Sequence, residues 1–537
     1  HVSPMTVEDL TKLEFHEVVD RVSSWRPQKT GWREPEIEGL AETFSRYIDT
    51  DPRAFSSHAG RLKERAAIYV DRFIQKMAEA VRAGKEIDLD SVLDLCVWVL
   101  GRPVSERTTP VEAQGPLADK DWSWTRDQIA EFARQVCEAR RNDLPTYDLE
   151  SYRSRLRGLV EPLCQGDPAT YIVRDTSKDV PRVHDYLDHA INSARGKALQ
   201  AAFAYARWVA IHVKEVRGIE EIVPGGFDQM PEVREVLEWQ LRSENRTTEG
   251  LAIIGAHINA IYWIDRHWLT QNATEIFDLR SSDEQTWKTS WAAWNAFVVW
   301  VHPHIEYYKV LKHQYNVAVT ESKTVTVTED SRHQQPMLRL GEHLMLFYGR
   351  GQLGFDDDSG LLRQLLAAAN HDVRRHAIGF VGESFEGKDT LTNEVVSRMM
   401  ALWDYYWANQ GKKDAVERPD EWSFARWFTS DKFPAGWVLD RLDEFTTIVP
   451  LPQPDHAIID QLAKICDANV SASIRILNRI ARADREGWRI HAGIKPATEV
   501  LKKAIAVGGE NRRLASELIN YLGRRGYTEL GGLHDLV

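Results

Sequence analysis

Apolar residues recur at three- and four-residue spacing along nearly the whole chain, the period of an α-helix with one buried face. Leu10, Leu13, Val18, Val19 and Val22 share a face and predict a helix over 6–22. Leu62, Ala66, Tyr69, Val70, Phe73, Met77 and Val81 do the same over 61–83. Between these runs lie Pro- and Gly-bearing turns, such as Gly101-Arg102-Pro103, which ends a short apolar helix over 89–100. The pattern continues through helices near 125–141, 147–163, 183–216, 231–243, 248–265, 284–299 and 304–315. After a break it resumes at 338–348 and runs in short steps to 510–524. Roughly twenty helices joined by short connections predict an all-α chain of antiparallel helix pairs.

One stretch departs from this rhythm. Thr324, Val325, Thr326, Val327 and Thr328 alternate with period two, which predicts a strand or hairpin arm. A lone ribbon is marginal in water, so 317–335 is expected to be a small β-like protrusion near 317–330. The expected organisation is N-terminal helical repeats over 1–165, central repeats over 183–316, the protrusion, and C-terminal repeats over 336–537. At 370–377, Val373 and Arg374 stand just before the small Ala377 at a helix start. HEAT-type repeats use such a pair to pack neighbouring helices while the arginine ties adjacent turns. No strict period extends this, so the fold expected is an irregular HEAT/TPR-like α-solenoid.

Composition narrows the class. With 537 residues, the chain suits three or four compact domains or one repeat array. Its net charge of −12 argues against a chain-wide phosphate-neutralising surface, so nucleic acid is not an expected partner. No run is long and apolar enough for a membrane span. Four scattered cysteines with no CxxC pair exclude a disulfide framework, and a cytoplasmic location is expected. The chain opens on His1 with a helix close behind, so it is expected to be a piece of a longer polypeptide. Its nineteen tryptophans supply packing area, and any left on the surface are candidate interface anchors.

Several clusters suggest chemistry and fall short of it. Residues 382–389 nearly spell a phosphate-binding loop, but Asp389 takes the hydroxyl position and Glu383 and Glu386 would repel phosphate. His184, Asp185, Asp188 and His189 lie within one and a half helical turns, yet no second helix completes a ligand set, and acids at a helix start explain them. His304 and His313 fall on opposite helix faces, so with His302 they do not converge. Asp356, Asp357 and Asp358 resemble the head of a calcium loop whose twelfth position is Ala367, and helix capping explains them better. No catalytic residue, metal site or cofactor is expected in this chain.

The densest aromatic run spans 403–437. Core packing explains it first, while a rigid aromatic cluster bordered by charged loops also suits a binding hot spot. Trp403, Trp407, Trp422, Trp427 and Trp437 are therefore the partner-binding candidates.

Three phrases carry a family resemblance: 190–198 (Ala-Ile-Asn-Ser-Ala-Arg-Gly-Lys-Ala), 340–345 (Leu-Gly-Glu-His-Leu-Met) and 515–522 (Ala-Ser-Glu-Leu-Ile-Asn-Tyr-Leu). With Trp422, Trp427, Phe433 and Trp437 they resemble the C-terminal helical regions of large bacterial antiviral NTPases of the STAND class. The resemblance implies a sensor for a large phage protein, structural or packaging, that triggers attached NTPase and effector modules. ATP, magnesium and oligomer formation would belong with the NTPase module, which this chain lacks. Within 190–198, Asn192 and Arg195 are expected to bond loop carbonyls while Gly196 admits a neighbouring helix. A scaffold or adaptor for host proteins is the alternative.

Overall fold

The computed structural model describes residues 2–27, 34–103, 122–141, 144–166, 185–217, 226–321, 336–355, 360–385, 390–417, 425–450 and 455–536. Among them are 28 α-helices, and β-structure amounts to a two-residue hairpin (Arg140–Arg141 with Leu144–Pro145) and one bridge between Val2 and Pro35. The chain is an all-α helical-repeat fold of the α-solenoid type, as the periodicity predicts. No helix among the described residues is long and apolar enough to cross a membrane. Contacts divide the chain into one compact unit of His1–His302 with Glu306–Gln314, and a second of Pro303–Ile305 with Tyr315–Val537.

In the first unit the helices Ile37–Thr50, Ala67–Arg82, Ser123–Glu138, Ala194–Arg217, Thr248–Ala256 and Glu284–Trp300 pack each on the next, forming one row. Polar ties show that neighbours run parallel. Lys197 meets Asp127 (3.2 Å) near the start of two of them, and Arg207 meets Glu138 (3.0 Å) further along the same pair. A second row of Leu89–Leu100, Leu149–Gln165 and Pro231–Leu241 packs against the first. It runs the other way. Trp208 Nε1 donates to the Tyr147 carbonyl (3.0 Å) at one end of this contact, and Arg195 Nη2 donates to the Gly166 carbonyl (2.8 Å) at the other. Antiparallel pairing of the two rows lets each amphipathic helix bury one stripe against its neighbours.

The second unit repeats the plan. Pro336–Gly349, His371–Ser384, Ala425–Thr429, Asp455–Ile465 and Ile494–Val507 succeed one another in contact. Beside them lie Asn393–Tyr406, Ala435–Thr446, Val470–Ala483 and Gly509–Arg524. Successive members of this second row are tied by arginine–aspartate pairs: Arg441 to Asp404 (2.6 Å), then Arg479 to Asp443 (2.6 Å). Arg525 continues the series by donating to the Asp484 carbonyl (2.7 Å).

Several predicted helices are divided. The 6–22 run is two helices, Val7–Leu10 and Phe15–Ser24, and the 183–216 run breaks between Asp185–Asn192 and Ala194–Arg217. At the latter break, a Cβ on Gly196 would lie 1.7 Å from the Ala190 carbonyl oxygen, so only glycine lets the two helices meet. Arg195 bonds a loop-end carbonyl as expected, whereas Asn192 Nδ2 donates to Asp188 within its own helix (2.7 Å). The helix Arg266–Ile276 was not predicted at all. Residues 317–321 complete the helix Ile305–Glu321, which leaves helical geometry at Leu311 (φ −102°, ψ 17°). The β-like stretch at 324–328 lies outside the described residues.

Candidate functional site

The aromatic run is interior. Trp403 and Trp427 are fully buried and Trp407 is 3% exposed. The Trp403 ring stacks on Trp407 (6.0 Å, 11°), tilts against Trp427 (5.3 Å) and meets Phe428 edge-on (5.0 Å). Trp427 Nε1 donates to the Ile378 carbonyl (2.9 Å), which satisfies its one polar atom and fixes it between two helices. Trp437 is half-buried against Phe433 (5.1 Å), and Trp422 lies outside the described residues. The structure therefore corrects the candidate set: Trp403, Trp407 and Trp427 offer no accessible face. Their large apolar area is spent on joining helices.

The weaker motifs lie partly within the described residues. Gly382 to Ser384 finish the helix His371–Ser384, and Phe385 packs edge-on to Trp427 (5.1 Å), while 386–389 lie outside the described residues. That is a helix end and not the strand–loop–helix a phosphate loop requires. His189 faces Glu249 at 3.7 Å. His302, His304 and His313 are all exposed, and no metal-holding group of His, Cys, Asp or Glu occurs among the described residues. His184 and Asp356 to Asp358 lie outside them. All four cysteines are free and buried, and burial pushes the Cys164 thiol up to about 12.

Arg374 does what its motif predicts. Its guanidinium donates to the Ala369 carbonyl and pairs with Asp414 through Nε (2.9 Å), and the Tyr406 hydroxyl donates to the same carboxylate (3.1 Å). Arg374 and Asp414 are buried, so the pair is a structural tie with its hydrogen bonds satisfied.

What the sequence did not reveal is an open cleft in the first unit. Because the first-row helices run parallel, their C-terminal ends gather at one edge, and Ala67–Arg82 and Ser123–Glu138 end beside the small hairpin. Between them lies a cleft of 1120 Å³ whose wall includes six cations: Arg53, Arg82, Lys85, Arg134, Arg140 and Arg141. Three carboxylates also line it, those of Glu86, Asp88 and Glu138. Three of the cations are paired: Arg53 with Glu86 (2.8 Å), Lys85 with Asp49 (3.4 Å) and Arg134 with Glu131 (2.8 Å). Arg140 turns Nη1 onto the carbonyls of Cys137 (2.8 Å) and Ala139 (3.0 Å). Partial burial and the neighbouring Arg207 guanidinium hold Arg140 below the usual arginine value. Helix C-termini favour cations, which accounts for part of this clustering. The adjacent Arg140-Arg141 was the available sequence signal, but only the parallel stacking of helices shows what it faces.

A second missed feature is the exposed indoles. Trp124 (43%), Trp263 (41%), Trp287 (44%), Trp300 (54%) and Trp488 (72%) reach solvent from well-packed helices or their ends. Trp287 and Trp300 stand near opposite ends of Glu284–Trp300, outside its buried stretch from Thr289 to Val298.

Comparison with known proteins adds no identity. No family model matches the chain, and no curated protein is significantly similar. A solved engineered protein from a structural-genomics consortium aligns over 95% of this chain and 98% of its own, at 13% identity and a TM-score of 0.27. A likeness at that level carries no argument about fold or function.

Proposed function

We propose that this chain is a target-recognition module that binds a large protein ligand and triggers modules attached to it. The observation that carries this reading is the set of exposed tryptophans on a helical-repeat scaffold. Indoles left in water on rigid helices are poor for solubility and good as anchors, because they bury much area at little entropy cost. The resemblance at 190–198, 340–345 and 515–522 makes the module the sensor of an antiviral STAND-class NTPase, its ligand a phage structural or packaging protein. Ligand binding would act by favouring one of two states of the attached modules, through a difference in affinity between them. Catalysis and nucleotide turnover then belong elsewhere.

Affinity capture with this chain from phage-challenged cells tests the reading. A single phage protein should be recovered, and Trp287→Ala with Trp300→Ala should lose it while the helical circular dichroism stays unchanged. Recovery of nothing across diverse phages contradicts the sensor reading. A stoichiometric host protein from uninfected cells would assign the chain as an adaptor instead.

A further inference from the structure

We infer that the cleft at the C-terminal edge of Ala67–Arg82 and Ser123–Glu138 is a binding site for a compact phosphate-bearing anion of about nucleotide size. Three guanidinium groups on its wall, those of Arg82, Arg140 and Arg141, make no ion pair among the described residues, and Glu138 and Glu215 act on Arg140 only through longer-range attraction. Arginine matches phosphate oxygens through two parallel N–H donors, so unpaired arginines facing one cleft form a natural receptor for such a group. Arg140 is already oriented. Its Nη1 is held by the carbonyls of Cys137 and Ala139, which leaves Nε and Nη2 for a ligand.

Size and charge favour a small ligand over a strand. The cleft volume of 1120 Å³ lies just above the span of small-molecule sites, roughly 300–1,000 Å³, so a compact ligand fits it with room left for water. Glu86, Asp88 and Glu138 interrupt the cations, and the chain as a whole carries −12. A long polyanion leaving the cleft would meet the negative charge of the rest of the chain, whereas a compact one meets only the wall, where six cations outnumber three carboxylates. This site is independent of the protein-recognition reading and stands or falls separately.

Isothermal titration calorimetry of the full chain with tripolyphosphate and with a nucleoside triphosphate, at low and at physiological salt, tests the inference. Saturable one-to-one binding is expected, weakening with salt. The double variant Arg82→Gln/Arg141→Gln, both positions exposed, should weaken it at least tenfold, and Arg513→Gln in the second unit should leave it unchanged. Circular dichroism of each variant separates lost binding from lost fold. Three results would overturn the inference: no saturable binding to either probe, equal binding by the double variant, or tighter binding of a hexaglutamate peptide or a single-stranded oligonucleotide.

Discussion

Gly255 shows how much a single residue decides. A Cβ there would lie 2.0 Å from the Ala293 carbonyl oxygen, a backbone atom of the helix Glu284–Trp300. Gly255→Ala must push two first-row helices apart and is expected to destabilise the first unit by about 3 kcal/mol, read from its urea unfolding midpoint. Nearby, His257 lies flat on Phe203 (4.4 Å, 4°) and bonds the Ile253 carbonyl through Nδ1 (2.8 Å). Burial, which outweighs that bond, lowers its pKa to about 4 from the ordinary 6.5. The unfolded chain therefore binds this proton first as pH falls. The stability linked to His257 is complete above pH 6.5 and is lost progressively toward pH 4, up to about 3 kcal/mol in all. His257→Gln should flatten the stability profile between those values, and parallel profiles for the two proteins would refute the assignment. Residue identity alone did not announce either feature: each depends on which helix lies opposite.

At the level of elements, periodicity located most helices and misjudged their interruptions. An apolar face continues across a tight break such as that at Ser193 or His257, so the pattern sees one helix where the backbone makes two. The cap residues carry the missing information. Asp265 closes one helix and opens the next: its carboxylate accepts from Trp268 N (2.8 Å) and from Phe227 N (3.2 Å), and Arg266–Ile276 follows. That helix was legible in principle from Asp265 with Trp268, Leu269, Ala273 and Ile276 behind it. Asp265→Ala leaves two buried donors without an acceptor and is expected to destabilise by about 2 kcal/mol, measured by chemical denaturation, with Asp265→Asn recovering about half. The aromatic run is likewise a matter of how helices are ordered. Sequence showed its density, but burial of Trp403 and Trp427 is a property of helix order, which spacing along the chain does not encode.

For the whole molecule, helix class and repeat character were readable because amphipathic stripes must be covered and short connections favour antiparallel neighbours. The candidate surfaces were not readable. Exposed indoles and buried ones have the same letter, and Arg140-Arg141 becomes a cleft wall only when parallel helices bring their ends together. Surfaces of this kind are assembled from residues far apart in the chain, so no local motif marks them. On the proposed recognition reading, the accessible tryptophans, and not the buried aromatic run, anchor a protein partner. An alanine scan of Trp124, Trp263, Trp287, Trp300 and Trp488, measuring affinity for the captured partner alongside unfolding midpoint, tests it most directly. At least one substitution should weaken binding by roughly thirtyfold, about 2 kcal/mol, while shifting stability by less than about 0.5 kcal/mol. Unchanged affinity for all five would show that these indoles anchor no partner.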